Sequence, residues 1–419
     1  MTISLNTTPS LKLQTGYNAL HMKILYISTM ASQKALEDAK KQDPSFSSYA
    51  VQKFTRLLNE GFVQNGNNVQ ALSTFFLPNV GYFYHRHKEE ENGIRFEYAP
   101  SLNLRAFRIV WLLVYCFVKV LLWGLSGRKD KVVFCDVLNV SACAGAILAT
   151  RITKVPCVGI VTDMPGIGVG NNETNQKMSL SDRINRSYLD KFTHYVFLTE
   201  QMNNVINTKH SPYMVMEGLV DINMTIPKNN QKADKRIVIY AGGLYERYGL
   251  KLLVDGFIQA DVENTELWLY GNGPFVESLN AYCENHPNIK YKGIRPNNEV
   301  VEAELKATLL VNPRPTQEEF TKYSFPSKNM EYMVSGTPVL TTILPGMPKE
   351  YYPYVYLFDK GETTEGYAEV LRHVLTLPDE ELQEKGMKAR NWVLENKNNI
   401  KQAKRIAEFI DTNKSRSHA

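Results

Sequence analysis

Short apolar runs alternate along this chain with longer segments whose apolar residues recur at helical spacing. Lys23–Ser28 (KILYIS) predicts a strand, the segment after Tyr49 (AVQKFTRLLNEGFVQNG) a helix closed by Gly66, and Asn68–Thr74 (NVQALST) the next strand. Strand, helix and strand in that order favour a parallel sheet, because a crossover must carry the chain back to the same edge. Val132–Asp136, Val155–Thr162, Tyr195–Thr199 and Tyr213–Asp221 continue the series, with a helix of small residues at Ser141–Thr150 and another starting at Glu200. A second β-α series opens at Arg236–Ala241 with a helix over Tyr248–Ala260. It continues through strands at Glu266–Tyr270, Asn288–Gly293 and Ala307–Val311, a helix over Lys328–Val334 and a strand at Pro338–Thr342. Helices follow at Tyr367–Leu377, Leu382–Leu394 and Ile400–Ile410.

Two such series in 419 residues predict two α/β domains of about 200 residues each, since one core rarely grows larger. Residues 1–21 are polar, lack the apolar segment of a signal peptide, and read as a disordered or non-native extension before Met22. The first domain is expected over 22–222, a Lys/Asn/Gln-rich linker over 223–235 and the second domain over 236–396. Residues 397–419 should hold a helix that packs back toward the first domain, followed by a tail. Thr29–Ser48 is a long polar insertion at the carboxyl end of the first strand, readable as an acceptor loop or as disorder.

Ile109–Leu125 (IVWLLVYCFVKVLLWGL) interrupts the pattern, being apolar except for Lys119. As a helix it is about 25 Å long, short of a bilayer span. It reads as a packed helix, with a helix in the membrane interface as the alternative. Arg105, Arg108, Arg128, Lys129 and Lys131 flank it as anionic lipid would require.

Composition adds bounds. A 22% charged and 43% apolar make-up is that of a globular protein, and a net charge of +5 is compatible with an anionic substrate or membrane surface without requiring either. No nucleic-acid partner is expected. The five cysteines, Cys116, Cys135, Cys143, Cys157 and Cys283, are scattered, so neither a disulfide framework nor a zinc site is suggested and a reducing cytoplasm is the expected compartment.

The candidate chemistry lies between Asn312 and Pro348, NPRPTQEEFTKYSFPSKNMEYMVSGTPVLTTILPGMP. A strand ends at Asn312-Pro313, a polar loop follows, and Phe325-Pro326-Ser327 starts a helix with Ser327 as the expected N-cap. Gly336 ends that helix. Free N–H groups and the positive end of a helix dipole then face the carboxyl edge of a sheet, which attracts phosphate. Arg314, Lys322 and Lys328 add cations, and Glu331 stands one turn into the helix, where it would accept hydrogen bonds from vicinal hydroxyls. A solvated surface helix is the bland alternative. Further turns, Gly242-Gly243-Leu244 and Gly271-Asn272-Gly273-Pro274, would let backbone approach a phosphate or serve as tight turns. Asp163, at a strand's carboxyl end, is either a turn aspartate or a catalytic one. The Gly166–Gly170 repeat is a weak dinucleotide signal.

FPSKNMEYMVSGTPVLTT resembles the donor-binding segment of group 1, family 4 retaining glycosyltransferases, in particular their bacterial polysaccharide-assembly branch. That resemblance implies the GT-B fold: two doubly wound Rossmann-like domains whose parallel sheets face a central cleft. It also implies a nucleotide diphosphate sugar as donor and a saccharide or polyprenyl-linked acceptor, with no metal and no cofactor. By the same resemblance, Glu331 binds ribose hydroxyls, Ser327 and the helix start contact phosphate, Gly243, Gly271 and Gly273 belong to the donor site, and the loop at Ile294 holds the base. Three positions depart from the pattern. Tyr323 stands where a second Glu is usual, with Glu318 or Glu319 as substitutes and Glu319 as a catalytic candidate beside Asp163. Gly243 and Tyr248 stand where cations are usual, with Arg247 and Arg314 as their replacements. The expected protein is a metal-independent hexosyltransferase of the cytoplasm or of the inner membrane face. Its rivals are a catalytically degenerate GT-B binding protein and a nicotinamide-dependent oxidoreductase, which would want G-x-G-x-x-G after Ser28, where the chain has Thr-Met-Ala-Ser.

Overall fold

The computed structural model describes residues 21–43, 50–76, 82–83, 89–102, 104–127, 130–164, 187–224 and 235–414. The Gly166–Gly170 repeat and most of the expected linker and N-terminal extension lie outside them. Among the described residues the chain forms two large sheets and a separate two-stranded ribbon. The first half holds β1 (Lys23–Ser28), β2 (Asn68–Ser73), β3 (Tyr82–Phe83) and β6 (Ser101–Leu102), which pair as the ribbon, β4 (Glu89–Glu91), β5 (Ile94–Tyr98), β7 (Lys131–Asp136), β8 (Cys157–Val161), β9 (His194–Phe197) and β10 (Tyr213–Val215). The main sheet has the order β10-β9-β8-β7-β1-β2-β5-β4 and is parallel except for β4. The second sheet is built from β11 (Arg236–Ala241), β12 (Thr265–Tyr270), β13 (Ile289–Gly293), β14 (Leu309–Asn312), β15 (Val339–Thr341) and β16 (Tyr356–Leu357), in the order β13-β12-β11-β14-β15-β16. All its pairs are parallel.

The run of apolar strand residues is explained by burial on both faces: Ile24, Tyr26, Val132 and Phe134 lie in one core, Leu25, Ile27, Val133 and Cys135 in the other. In each sheet the strand order reverses at the first strand, between β1 and β7 and between β11 and β14. Crevices at such reversals, outside the carboxyl ends, are where open α/β sheets bind ligands.

Three local outcomes differ from the sequence pattern. The polar insertion contains a helix, Gln33–Gln42, whose N-cap Ser32 accepts from the Ala35 amide at 3.1 Å. Only Ala35 and Ala39 of it are buried, too faint a stripe to see in sequence. The apolar helix runs from Arg105 to Leu125, longer than its apolar stretch. It buries Leu112, Cys116 and Val120 and packs along the Val140–Thr153 helix, where a Cβ on Gly145 would lie 2.3 Å from the Leu113 carbonyl oxygen. The Lys131 ammonium donates to the carbonyls of Trp123 and Gly124 at 2.7 and 3.0 Å, neutralising the negative end of that helix. Strand β14 ends at Asn312, one residue beyond the apolar run.

The two halves are tied where the chain crosses twice between them. The Val220 amide donates to the Lys397 carbonyl at 3.0 Å and the Asn399 amide to the Val220 carbonyl at 2.9 Å. Lys397, buried at this crossing, pairs with the equally buried Glu217 at 3.1 Å and with Glu350 at 2.6 Å. The Asn399–Asn413 helix then returns to the first sheet, placing Ala403, Ile406, Ala407 and Ile410 in its core beside the Ala50–Gln64 helix.

Candidate functional site

The Ser327–Ser335 helix is the centre of the site, and side chains not singled out in sequence hold it. Asn329 bridges two strands, accepting from Asn312 Nδ2 at 2.6 Å and donating to Thr341 Oγ1 at 3.3 Å. The Tyr332 hydroxyl accepts from the Ala241 amide at 3.0 Å, fixing the helix against the end of β11. These buried polar pairs have fixed geometry, so the helix start is aimed at the reversal between β11 and β14. The N-cap is Pro326, not Ser327: Pro326 takes the extended conformation and Ser327 is the first helical residue, with an exposed side chain. Proline has no N–H to lose at that position, and Ser327 is left to face outward. Gly336 terminates the helix with φ of 78°, as the sequence suggests.

Lys328 points toward the first Gly-rich turn, its Cε 2.8 Å from where a Cβ on Gly242 would stand. The lysine therefore occupies the space beside β11 that the absence of cations after Gly242 leaves unserved. Burial lowers its pKa, while Glu331 and Glu304 favour the charged form. Glu304, on the neighbouring Asn297–Lys306 helix, is buried and pushed up to about 7, chiefly by desolvation. Arg314, just past β14, lies 4.9 Å over the Tyr248 ring. Tyr248, where the resemblance expects a cation, thus supplies a platform for one. Glu331 is half-exposed and meets Lys53 of the Ala50–Gln64 helix at 3.2 Å, across the two halves. It lies on the rim of a cavity of about 310 Å³ that reaches the chain crossing and is lined by Phe54, Leu57, Leu219, Val220 and Met330.

In the first sheet, Asp136 closes β7 and is buried, and Asp163 lies just past the neighbouring β8, within electrostatic reach of Arg314. Burial raises Asp136 to about 6, with the Asp163 charge adding to it; Asp163, whose side chain is exposed, is raised by partial desolvation and pulled back down by Thr162 and Arg314. Asp163 and Arg314 are thus coupled across the cleft. Asp136 also accepts from the Leu138 amide at 3.1 Å. It closes a strand in the sequence, but nothing there marks it as a neighbour of Asp163.

The remaining expected residues are placed differently. Arg247 pairs with Glu318 at 3.1 Å and lies 4.9 Å over Phe320, so Glu318 is committed to holding that loop. Glu319 and Lys322 are exposed, and the Lys322 carbonyl accepts from Thr199 Oγ1 of the first half at 3.1 Å. Tyr323 packs against the apolar cluster of the first domain. A carboxylate at this position would lie beside apolar groups, which disfavours its charged form. Gly271 and Gly273 lie against the first turn, where Cβ atoms would come 1.8 and 2.3 Å from the carbonyl oxygens of Gly242 and Leu244. Gly243 offers its carbonyl to the Tyr240 hydroxyl at 2.9 Å. Ile294, beyond β13, is exposed.

Residues 221–392 match the family profile described as "Glycosyl transferases group 1". That span, in the second half of the chain, is similar to the group 1 glycosyl transferases. Among solved structures, Anabaena HepE in complex with UDP and glucose is 14% identical, covers 94% of this chain and 100% of its own, and superposes with a TM-score of 0.60. Sucrose-phosphate synthase from Thermosynechococcus elongatus is 13% identical over 93% and 98%, with a TM-score of 0.64. The lipopolysaccharide outer core galactosyltransferase WaaB, apo form, is 14% identical over 93% and 99%, with a TM-score of 0.60. At these identities the likeness establishes the fold, which is GT-B. Compared by sequence with curated proteins, the chain has no significant match. In this family profile the matched span contains Arg314, Ser327, Lys328 and Glu331 but neither Asp136 nor Asp163, which the other half contributes.

Proposed function

We propose that this glycosyltransferase moves a hexosyl unit, with retention and without a metal ion, from a nucleoside diphosphate sugar to a saccharide or polyprenyl-linked saccharide. The setting is assembly of a bacterial surface polysaccharide at the cytoplasmic face of the membrane. One observation carries the proposal: Lys328 beside Gly242, with Glu331 a turn further on and Arg314 coupled to Asp163 of the opposite half.

Departure of a diphosphate needs positive charge that is in place before the bond breaks. Lys328, Arg314 and the exposed amides at the Ser327 helix start supply it, and Glu331 takes the ribose. The bond from the anomeric carbon to the phosphate oxygen breaks with its electron pair going to the diphosphate. The acceptor oxygen bonds to that carbon from the same face, and its proton passes to the departing phosphate. No covalent nucleophile is used. Asp163 orients the acceptor hydroxyl. Since HepE was crystallised with UDP and glucose, uridine diphosphate sugars come first in the test.

Release of nucleoside diphosphate from uridine, guanosine and adenosine diphosphate sugars, with and without EDTA, is the deciding measurement. Release from one class, unaffected by EDTA and stimulated by acceptor, is expected. Tight binding of a nucleotide sugar with no turnover would instead favour a degenerate binding protein, for which Tyr323 in place of a carboxylate speaks.

A further inference from the structure

The Arg105–Leu125 helix carries an outward stripe, Phe107, Val110, Val114, Val118, Leu122 and Leu125, that no other described residue covers; Val110, Leu122 and Leu125 are 63%, 62% and 65% exposed. The adjoining Val140–Thr153 helix extends it with exposed Leu148 and Ile152. Spacings of three and four residues put the stripe on one side of the helix, opposite buried Leu112, Cys116 and Val120. An apolar surface this continuous on a folded protein marks a contact with something.

The chemistry of that something follows from the charges. Residues 98–129 contain five Lys or Arg and residues 137–162 two more, with no Asp or Glu in either stretch. Arg151 and Lys154 are exposed beside the stripe, and Lys119 on the flank is paired with Glu97. Arg108 lies flat on the Phe76 ring at 3.8 Å. A second copy docking by the same face would bring Arg151 and Lys154 against like charge. An anionic bilayer would accept both the apolar stripe and its positive border. The helix cannot stand upright as a span: its inner face is in the core, Gly145 seats it on the neighbouring helix, and Lys131 pins its last carbonyls.

We infer that the outer face of the Arg105–Leu125 and Val140–Thr153 helices lies flat in the interface of an anionic phospholipid bilayer, buried to the depth of the Val110–Leu122 stripe. This deepens the membrane part of the function proposed above and rests on it by naming the surface and the lipid.

The test is co-sedimentation of the full chain with phosphatidylcholine vesicles, with and without phosphatidylglycerol, in the absence of any sugar donor. The wild type should bind the phosphatidylglycerol vesicles, and added salt should weaken binding by screening. The double variant Val110→Glu/Leu122→Glu should lose binding about tenfold or more, roughly the effect of two unfavourable charges in the interface. Arg151→Glu/Lys154→Glu should weaken binding to anionic vesicles only. Circular dichroism and nucleotide binding unchanged in both variants establish that they fold. The inference is overturned if the wild type binds neither vesicle, or if the apolar variant binds as well as wild type. It is equally overturned if the wild type is instead a dimer in solution that the same variant dissociates. Vesicle binding without sugar transfer would sink the functional proposal alone; transfer to a soluble acceptor without vesicle binding would sink this one alone.

Discussion

Lys53 and Glu331 meet at 3.2 Å, one from each half of the chain, on the rim of the interdomain cavity. The glutamate that the sequence marks as the ribose contact is therefore also a point where the two halves touch. Both side chains are about half exposed, so the pair contributes less than about 1 kcal/mol to stability. Its weight falls on the geometry of the donor site.

Glu331→Ala should reduce kcat/KM by about 100-fold or more, the cost of a hydrogen-bonding carboxylate at a substrate contact. Lys53→Ala should cost roughly threefold through a loosened Glu331, with unfolding free energy unchanged within about 1 kcal/mol. Glu318→Ala, which frees only Arg247, should cost much less than Glu331→Ala. Steady-state kinetics with the preferred donor check all three, and equal losses at Glu331 and Glu318 would count against the ribose assignment.

Asp136 should leave a signature in stability against pH. Its ordinary pKa is 3.8 and burial raises it to about 6 in the folded protein. Between those values the folded chain holds a proton that the unfolded chain has released, so stability falls as pH rises through the window and the loss is complete above it. Asn in its place can still accept from the Leu138 amide and carries no charge. Asp136→Asn should therefore be more stable than wild type by on the order of 2 kcal/mol at pH 7.5 and about equal to it near pH 4. Urea melts at the two pH values decide; an equal gain at both would rule out titration as the cause.

Tyr323→Glu restores the acidic residue expected from the family pattern but sets it against the apolar cluster of the first domain. A loss of about 1–3 kcal/mol in stability, partly recovered at low pH, is expected, with no gain in turnover. Thermal melts at two pH values and a turnover assay measure this. A more active, equally stable variant would mean that the tyrosine is not a domain contact.

Lys397 and Glu217 are both buried at the chain crossing. Lys397→Met removes the cation and leaves the buried Glu217 carboxylate with the Tyr351 hydroxyl but without its ion pair, at a cost of about 3–5 kcal/mol. The double variant Lys397→Met/Glu217→Gln should recover most of that in urea denaturation. No recovery would show that the lysine acts through its packing on Tyr351 and Trp392.

The parallel sheets were legible because their strands are buried on both faces and read as unbroken apolar runs, as in Val132–Asp136. The Ser327–Ser335 helix was legible between Pro326 and Gly336, since proline and glycine report backbone geometry directly, although its N-cap is Pro326 and not the expected Ser327. What sequence could not convey was pairing at a distance. Glu318 and Glu319 look alike on paper, yet one holds Arg247 and the other faces solvent. Asn329 and Tyr332 sit in a helix as ordinary residues until β11, β14 and β15 arrive beside them. Asp136 comes within reach of Asp163 only because β7 and β8 are neighbours.

The return of the Asn399–Asn413 helix to the first sheet has an effect on biosynthesis. The earliest strands to leave the ribosome lack the cover supplied by Ile406 and Ile410 until residue 413 has been made. The nascent first half therefore carries part of its interior uncapped until the second half has been made.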